Sequence, residues 1–424
     1  MKKILLPALI LWYAGLVSAQ RDATNQDESQ VPVVTLPEAL ICLNGEKVTS
    51  AAQWEQQRRP ELLALFANQM YGESFAGSAG ISQTYEILAE NANDLSGKAV
   101  SKQVKITFKR ENIVREALLL IYLPKAVKGK APVFLSYNYN GNHSINPDPW
   151  ILISPLSAKI PSDDPTNVRG NQIRRWPLEM IIDAGFGVVT LCYHDIYPDN
   201  NEGKDGSILP LSIHYEAKKN DPHAEQAIGA WAWGLSRVVD YLETEKQIDG
   251  KQIILMGHSR QGKAALWAGA QDRRFAIVIS NNSGCGGAAL SKRRFGENVK
   301  VITTNFPHWF TPAFSQYADK EATLPFDQHE LIALMAPRPV YIASAQEDLW
   351  ADPKGEFLSG VHAGPVYALY GLKGLETNEM PTKNTPIMNH IGYHIRTGNH
   401  DVTDFDWQCF IRFAQKHLAN DSKK

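Results

Sequence analysis

The chain of 424 residues carries 43 Lys and Arg against 45 Asp and Glu, a formal net charge of -2, with 44% hydrophobic and 21% charged residues. That is ordinary globular composition with ample material for a large core. It lacks the basic field that nucleic-acid binding needs, so no nucleic-acid partner is expected.

Residues 1–19 read as an export signal. Lys2 and Lys3 supply the positive end, residues 4–17 an apolar run, and Val17-Ser18-Ala19 a small-residue cleavage site. The run falls short of the roughly 20 residues a membrane span needs, and no later stretch reaches that length. The mature chain is therefore expected to be exported, periplasmic or secreted, and free of the membrane. Residues 20–30 are polar and poor in aliphatics and read as a tether. Cys42, Cys192, Cys285 and Cys409 lack the close paired spacing of a zinc site and read as buried thiols.

Apolar residues at helical spacing predict a helix over residues 54–70. Alternating segments at 85–88 and 104–108 predict strands, and the continuous apolar run 117–123 an interior strand. From there a βα rhythm sets in. Strands are predicted at 133–137, 186–192, 252–256, 275–279, 339–343 and 393–396, and helices at 177–184 and 223–243. Residues 147–171, polar and proline-bearing, read as a long loop. Alternating strands and helices imply a mostly parallel sheet covered on both faces, a three-layer sandwich of the α/β-hydrolase fold in a single domain over residues 31–424. Ligands bind such sheets at the carboxyl ends of the strands.

The run Ile253-Ile254-Leu255-Met256-Gly257-His258-Ser259-Arg260-Gln261-Gly262-Lys263 leads a buried strand through glycine and serine into a helix. This is the context of a nucleophile elbow, with Ser259 as nucleophile. It departs from G-x-S-x-G, because Gln261 stands where the second glycine is expected and Gly262 follows one position late. Gly257 to Lys263 also matches a phosphate loop, but Ala264 replaces the Ser or Thr that would hold magnesium. A serine needs a base oriented by an acid, in the chain order Ser, acid, His. Asp348, with Glu347 and Asp352 as rivals, follows the strand at 339–343. His400 follows the strand at 393–396, with His390 and His394 as alternatives, the latter better suited to packing within its strand.

The segments Gly257 to Lys263, Asn282-Ser283-Gly284-Cys285-Gly286-Gly287-Ala288, Gly296-Glu297, Asn305-Phe306-Pro307-His308-Trp309, Ala336-Pro337-Arg338-Pro339, Glu347-Asp348-Leu349-Trp350 and Gly398-Asn399-His400 together resemble carbohydrate esterase family 15, the glucuronoyl esterases. The resemblance implies hydrolysis of the ester joining (4-O-methyl-)glucuronic acid of glucuronoxylan to a lignin alcohol, without metal or organic cofactor and by a chain expected to act as a monomer. It implies Ser259, Asp348 and His400 as the catalytic triad, Arg260 as oxyanion stabiliser, and Lys263, Glu297 and Trp350 as sugar contacts. Without it, Lys263 would read as an exposed helix lysine, Glu297 as a surface acid and Trp350 as core. Two departures from the fungal members stand out. Asn282 occupies the place of their triad acid, and His258 and Asp401 occupy the places of their disulfide. Both fit a bacterial branch. Another exported carbohydrate esterase, such as an acetylxylan esterase, and a non-catalytic carbohydrate-binding hydrolase fold are the competing readings.

Overall fold

A computed structural model describes residues 24–33, 35–73, 80–154 and 164–421. The expected export signal lies outside the described residues. The antiparallel strands β1 (Ser82–Asp94), β2 (Ala99–Arg110) and β3 (Ile113–Pro124) lead into the sheet. The apolar run at 117–123 falls in β3, where every residue from 117 to 124 is buried. Six strands then lie parallel: β4 (Ala131–Asn138), β5 (Gly187–Cys192), β6 (Ile248–His258), β7 (Phe275–Asn281), β8 (Val340–Ala345) and, after the short β9 (Ile387–Met388), β10 (Ile391–Arg396). The sheet order is β1-β2-β3-β5-β4-β6-β7-β8-β10-β9.

Side chains on a strand alternate between faces, and each face here meets its own helical layer. Val133, Leu135, Ile253 and Leu255 pack with α1 (Arg59–Phe66), α3 (Ala227–Leu242), α4 (Arg260–Gln271), α5 (Gln328–Ala333) and α6 (Pro353–Ala368). Phe134, Ile254 and Met256 face the opposite layer of α2 (Leu178–Asp183) and α7 (Asp404–Asp421). This is the three-layer α/β-hydrolase sandwich. Among the described residues no helix is long and apolar enough to cross a membrane. All four cysteines are buried.

Three expectations shift in detail. The helix predicted over 54–70 is broken by wide π turns at Trp54–Arg58 and Ala67–Tyr71 around α1. Pro60, in the first turn of α1, has no N–H to continue a regular ladder backwards. The helix predicted from 223 starts at Ala227, and the amides of Ala227 and Ile228 donate to the carbonyls of His308 and Trp309. The residues read as a tether are docked where they are described. Glu28 pairs with Arg293 and Lys354, and the Asn25 carbonyl accepts from Gly296 N–H at 2.7 Å.

Trp407 ties α7 to the sheet. It is fully buried, with its ring edge-on to Phe134 at 5.3 Å and its indole N–H on the Arg175 carbonyl. Trp407→Ala should lower the unfolding free energy by about 3–5 kcal/mol, read from urea denaturation at constant m-value.

Candidate active site

Every chemically distinctive side chain sits past the carboxyl end of a parallel strand. At the end of β6 the backbone turns at Ser259 with φ 56° and ψ -129°, a conformation that lifts the hydroxyl clear of the sheet. A Cβ on Gly257 would stand 2.0 Å from the Gln261 carbonyl oxygen, so the turn requires glycine there. The late glycine has its own place. A Cβ on Gly262 would lie 2.8 Å from the Ser283 side chain, where α4 crosses the loop after β7. Ser259 N–H donates to the Asn281 carbonyl at 2.9 Å, which fastens the turn to β7. Arg260 opens α4, and the first amides of a helix have no intrahelical partner and carry its positive pole.

His400 Nδ1 lies 2.6 Å from Asp348 Oδ2, and its ring packs 4.6 Å from that of His258, the residue before Ser259. The Asp348 side chain is buried, while that of His400 is 40% exposed and so reachable. Of the rival acids, Glu347 is exposed, and Asp352 caps α6 and pairs with Arg293. Of the rival histidines, His394 is buried inside β10 on Asp406, and His390 packs on His417. Asn282, in the place of the fungal acid, donates its amide to Asp348 Oδ2 at 2.8 Å. Burial raises the Asp348 pKa, but the hydrogen bond and charge of His400 and the Asn282 amide outweigh it and hold the carboxyl below its ordinary 3.8.

Arg260 projects into an aromatic box, its guanidinium carbon 4.7 Å from the Trp309 ring centre and 5.6 and 5.9 Å from those of Phe306 and Tyr139. Its charge is balanced by Asp199, which sequence reasoning missed. Besides Arg260 Nη1, Asp199 accepts from Tyr193 Oη at 2.9 Å and Trp309 Nε1 at 2.7 Å, and it meets His308 Nε2 at 2.8 Å. Burial would raise this carboxyl, yet His308, the Arg260 charge and Trp309 hold it well below its ordinary 3.8. The Asn305-to-Trp309 run was a signal for this cluster, but Asp199 lies in an unremarkable loop after β5.

Lys263, Glu297 and Trp350 come together, with the reverse of their default exposure. Lys263 and Glu297 are buried, 3.9 Å apart, and Trp350 is half-buried. Lys263 Nζ donates to the Ser283 and Cys285 carbonyls at 2.5 and 2.7 Å, which leaves the phosphate-loop reading without its lysine. Burial lowers the Lys263 pKa and raises that of Glu297, each opposed by the other's charge. Glu297 N–H donates to the Trp350 carbonyl at 2.9 Å. A Cβ on Gly296 would stand 2.4 Å from the Leu349 carbonyl oxygen and 2.5 Å from that of Trp350, so only glycine lets the two loops touch. Among the described residues no group of acids, histidines or cysteines is arranged to hold a metal.

Comparison with known proteins identifies the family. A carbohydrate esterase from an unknown prokaryotic organism is 46% identical over 412 residues, 95% of this chain and 94% of the relative. The chain belongs to carbohydrate esterase family 15. The profile described as "Glucuronyl esterase, fungi" matches residues 170–371. The solved glucuronoyl esterase from Solibacter usitatus superposes with a TM-score of 0.86 at 42% identity, over 92% of this chain and 99% of that one. The 4-O-methyl-glucuronoyl methylesterase of the fungus Cerrena unicolor is 34% identical over 200 residues, 43% of this chain and 41% of its own. The carbohydrate esterase and the Solibacter enzyme thus match along nearly their whole length, and the fungal enzyme in sequence over less than half of its own.

Two outcomes test this site. Gly296→Ala should push the Glu297 loop off Trp350 and raise KM for a uronate ester with less effect on kcat, read from steady-state kinetics. Because Asp199 is held below 3.8, the unfolded chain takes up that proton first as the pH falls. The stability it contributes is complete above about pH 5 and is lost on acidification through the folded pKa. In urea melts the advantage of the wild type over Asp199→Asn should therefore shrink between pH 6 and pH 3.

Proposed function

We propose that this chain hydrolyses the ester between the carboxyl group of (4-O-methyl-)glucuronic acid on glucuronoxylan and an alcohol of lignin, with Ser259 as nucleophile, His400 as general base and Asp348 as its orienting acid. The observation that carries the reading is the Asp348–His400 pair packed against the strained Ser259 turn. A carboxylate on Nδ1 fixes the tautomer that leaves Nε2 bare to take a proton. His400 accepts the Ser259 proton as the hydroxyl attacks the uronate carbonyl. The alcohol departs with that proton, and water, activated by the same imidazole, clears the glucuronoyl-enzyme. The oxyanion rests on the N–H groups that open α4 and on the Arg260 guanidinium, which Asp199 and the aromatic box hold in place. One oxyanion donor supplies roughly 3 kcal/mol of transition-state stabilisation.

The acyl side of the ester carries the sugar. Glu297 and Lys263 offer an acceptor and a donor for its hydroxyls, and the half-buried Trp350 a flat wall for its ring. An acetyl group would need none of these. We read residues 1–19 as an export signal, with the mature enzyme working as a monomer in the periplasm or outside the cell.

With benzyl or methyl glucuronate the purified mature protein should release acid, and Ser259→Ala should abolish that release while circular dichroism stays unchanged. Acetate release from an acetylated sugar without uronate hydrolysis would replace the substrate assignment by an acetyl esterase. Substantial uronate hydrolysis by Ser259→Ala would remove the serine mechanism altogether.

A further inference from the structure

Beneath the two loops that carry Ser259 and His400 lies a carboxylate that touches neither. Asp406, in the first turn of α7, is fully buried and accepts from five donors. Oδ1 meets Asn281 Nδ2 at 3.2 Å and His394 Nε2 at 2.9 Å. Oδ2 takes Arg396 Nε at 2.8 Å and the N–H and hydroxyl of Thr403 at 2.7 and 2.8 Å.

Two arms leave this point. One passes through Arg396, 2% exposed, whose Nη1 donates to the Thr397 carbonyl at 3.0 Å and whose Nη2 donates to the carbonyls of Asn399 and Asp401 at 3.0 and 2.6 Å. Those carbonyls bracket His400 in the chain, so the guanidinium fixes the loop on both sides of the imidazole. The other arm passes through Asn281. Its amide donates to a carboxylate, so its carbonyl oxygen must accept, and the 2.7 Å contact to His258 Nδ1 makes that nitrogen the donor. The backbone carbonyl of the same Asn281 takes the Ser259 N–H. One buried anion thus sets both the height of the nucleophile turn and the position of the histidine loop.

We propose that Asp406 is a positioning residue for the ester hydrolysis, acting through Arg396 on His400 and through Asn281 on the Ser259 turn. The inference rests on the reading of Ser259 and His400 given above. A purely structural Asp406 would cap α7 and neutralise Arg396, and its loss would cost stability alone. A positioning Asp406 makes the relative placement of serine and histidine depend on both arms.

Two variants separate these roles while sparing Asp406. Arg396→Lys keeps its countercharge and gives up the carbonyls around His400. Asn281→Ser keeps the ion pair and the helix cap and severs the side-chain arm to the nucleophile turn. With benzyl glucuronate each should lower kcat about 10- to 100-fold with KM within about twofold, as expected when reacting groups are displaced by a fraction of an ångström to 1 Å. Labelling of Ser259 by a fluorophosphonate should slow in the same proportion. Thr403→Ala, which removes only one donor from Asp406, should lower the unfolding midpoint and leave kcat close to wild type. Arg396→Lys and Asn281→Ser both turning over like wild type would overturn the proposal, as would an equal loss of kcat in Thr403→Ala. Should Arg396→Lys fail to fold, Asn281→Ser decides alone. Ser259→Ala run beside them keeps the two readings apart. If it is active the serine mechanism fails, whereas an inactive Ser259→Ala next to fully active Arg396→Lys and Asn281→Ser removes only the role of Asp406.

Discussion

The backbone at Ser259 adopts a left-handed φ of 56°, which costs a non-glycine residue on the order of 1–3 kcal/mol and persists only where its surroundings over-determine it. Much of the neighbouring sequence can be understood as that over-determination. Gly257 gives the turn room against the Gln261 carbonyl, Gly262 lets α4 close on the Ser283 loop, and Asn281 takes the serine's own N–H. The strands behind it are buried on both faces, so the turn is held by a rigid wall. Strain at this point fixes the direction in which the hydroxyl leaves the sheet. Arg260 and Lys263 follow on α4, and the remaining groups of the site have to be brought to that spot from other strand ends.

The charges brought there are each neutralised by a dedicated partner. Arg260 is balanced by Asp199, Lys263 lies beside Glu297 with two carbonyls on its ammonium, and Asp348 accepts from both His400 and Asn282. Unpaired, each would be expensive to bury. Paired, they keep a fixed field in a region where water cannot relax around them. The Asn282 amide matters in this respect. It supplies a donor to Asp348 where a second carboxylate would repel it, so one ionised acid is kept for one histidine. On the proposed reading, Asn282 thus supports the acid of the triad without being one.

The parallel strands were legible because burial on both faces leaves an unbroken apolar run, as in β5 and β8, and the strand-glycine-serine-helix succession marked Ser259 without any partner. The choice of Asp348 over Glu347 and Asp352 was not legible from spacing, since the three lie within six residues. In the fold, the turn after β8 aims Asp348, and neither Glu347 nor Asp352, at His400. Asp199 left no pattern at all, being a single acid whose meaning comes from Arg260 and Trp309 far along the chain. The burial of Lys263 and Glu297 likewise depends on contacts between α4 and two later loops, which helix periodicity does not see. Long-range pairings of this kind decide the site, whereas local pattern decides the fold.

The resemblance drawn from the sequence puts a disulfide of the fungal members at the places of residues 258 and 401. Here an unbroken hydrogen-bonded path connects them, from His258 through Asn281, Asp406 and Arg396 to the Asp401 carbonyl. A disulfide acts largely by restricting the unfolded chain. A buried ion pair has a desolvation penalty that can cancel its attraction, so it adds little net stability, but its geometry becomes demanding once every donor is satisfied. The polar path therefore does less to keep the chain folded and more to define where the His400 loop lies once it has folded. It also makes that definition a property of the packed core of α7, where Asp406, Trp407 and Phe410 are all fully buried. In this chain the placement of an exposed imidazole is thus set from the interior outward.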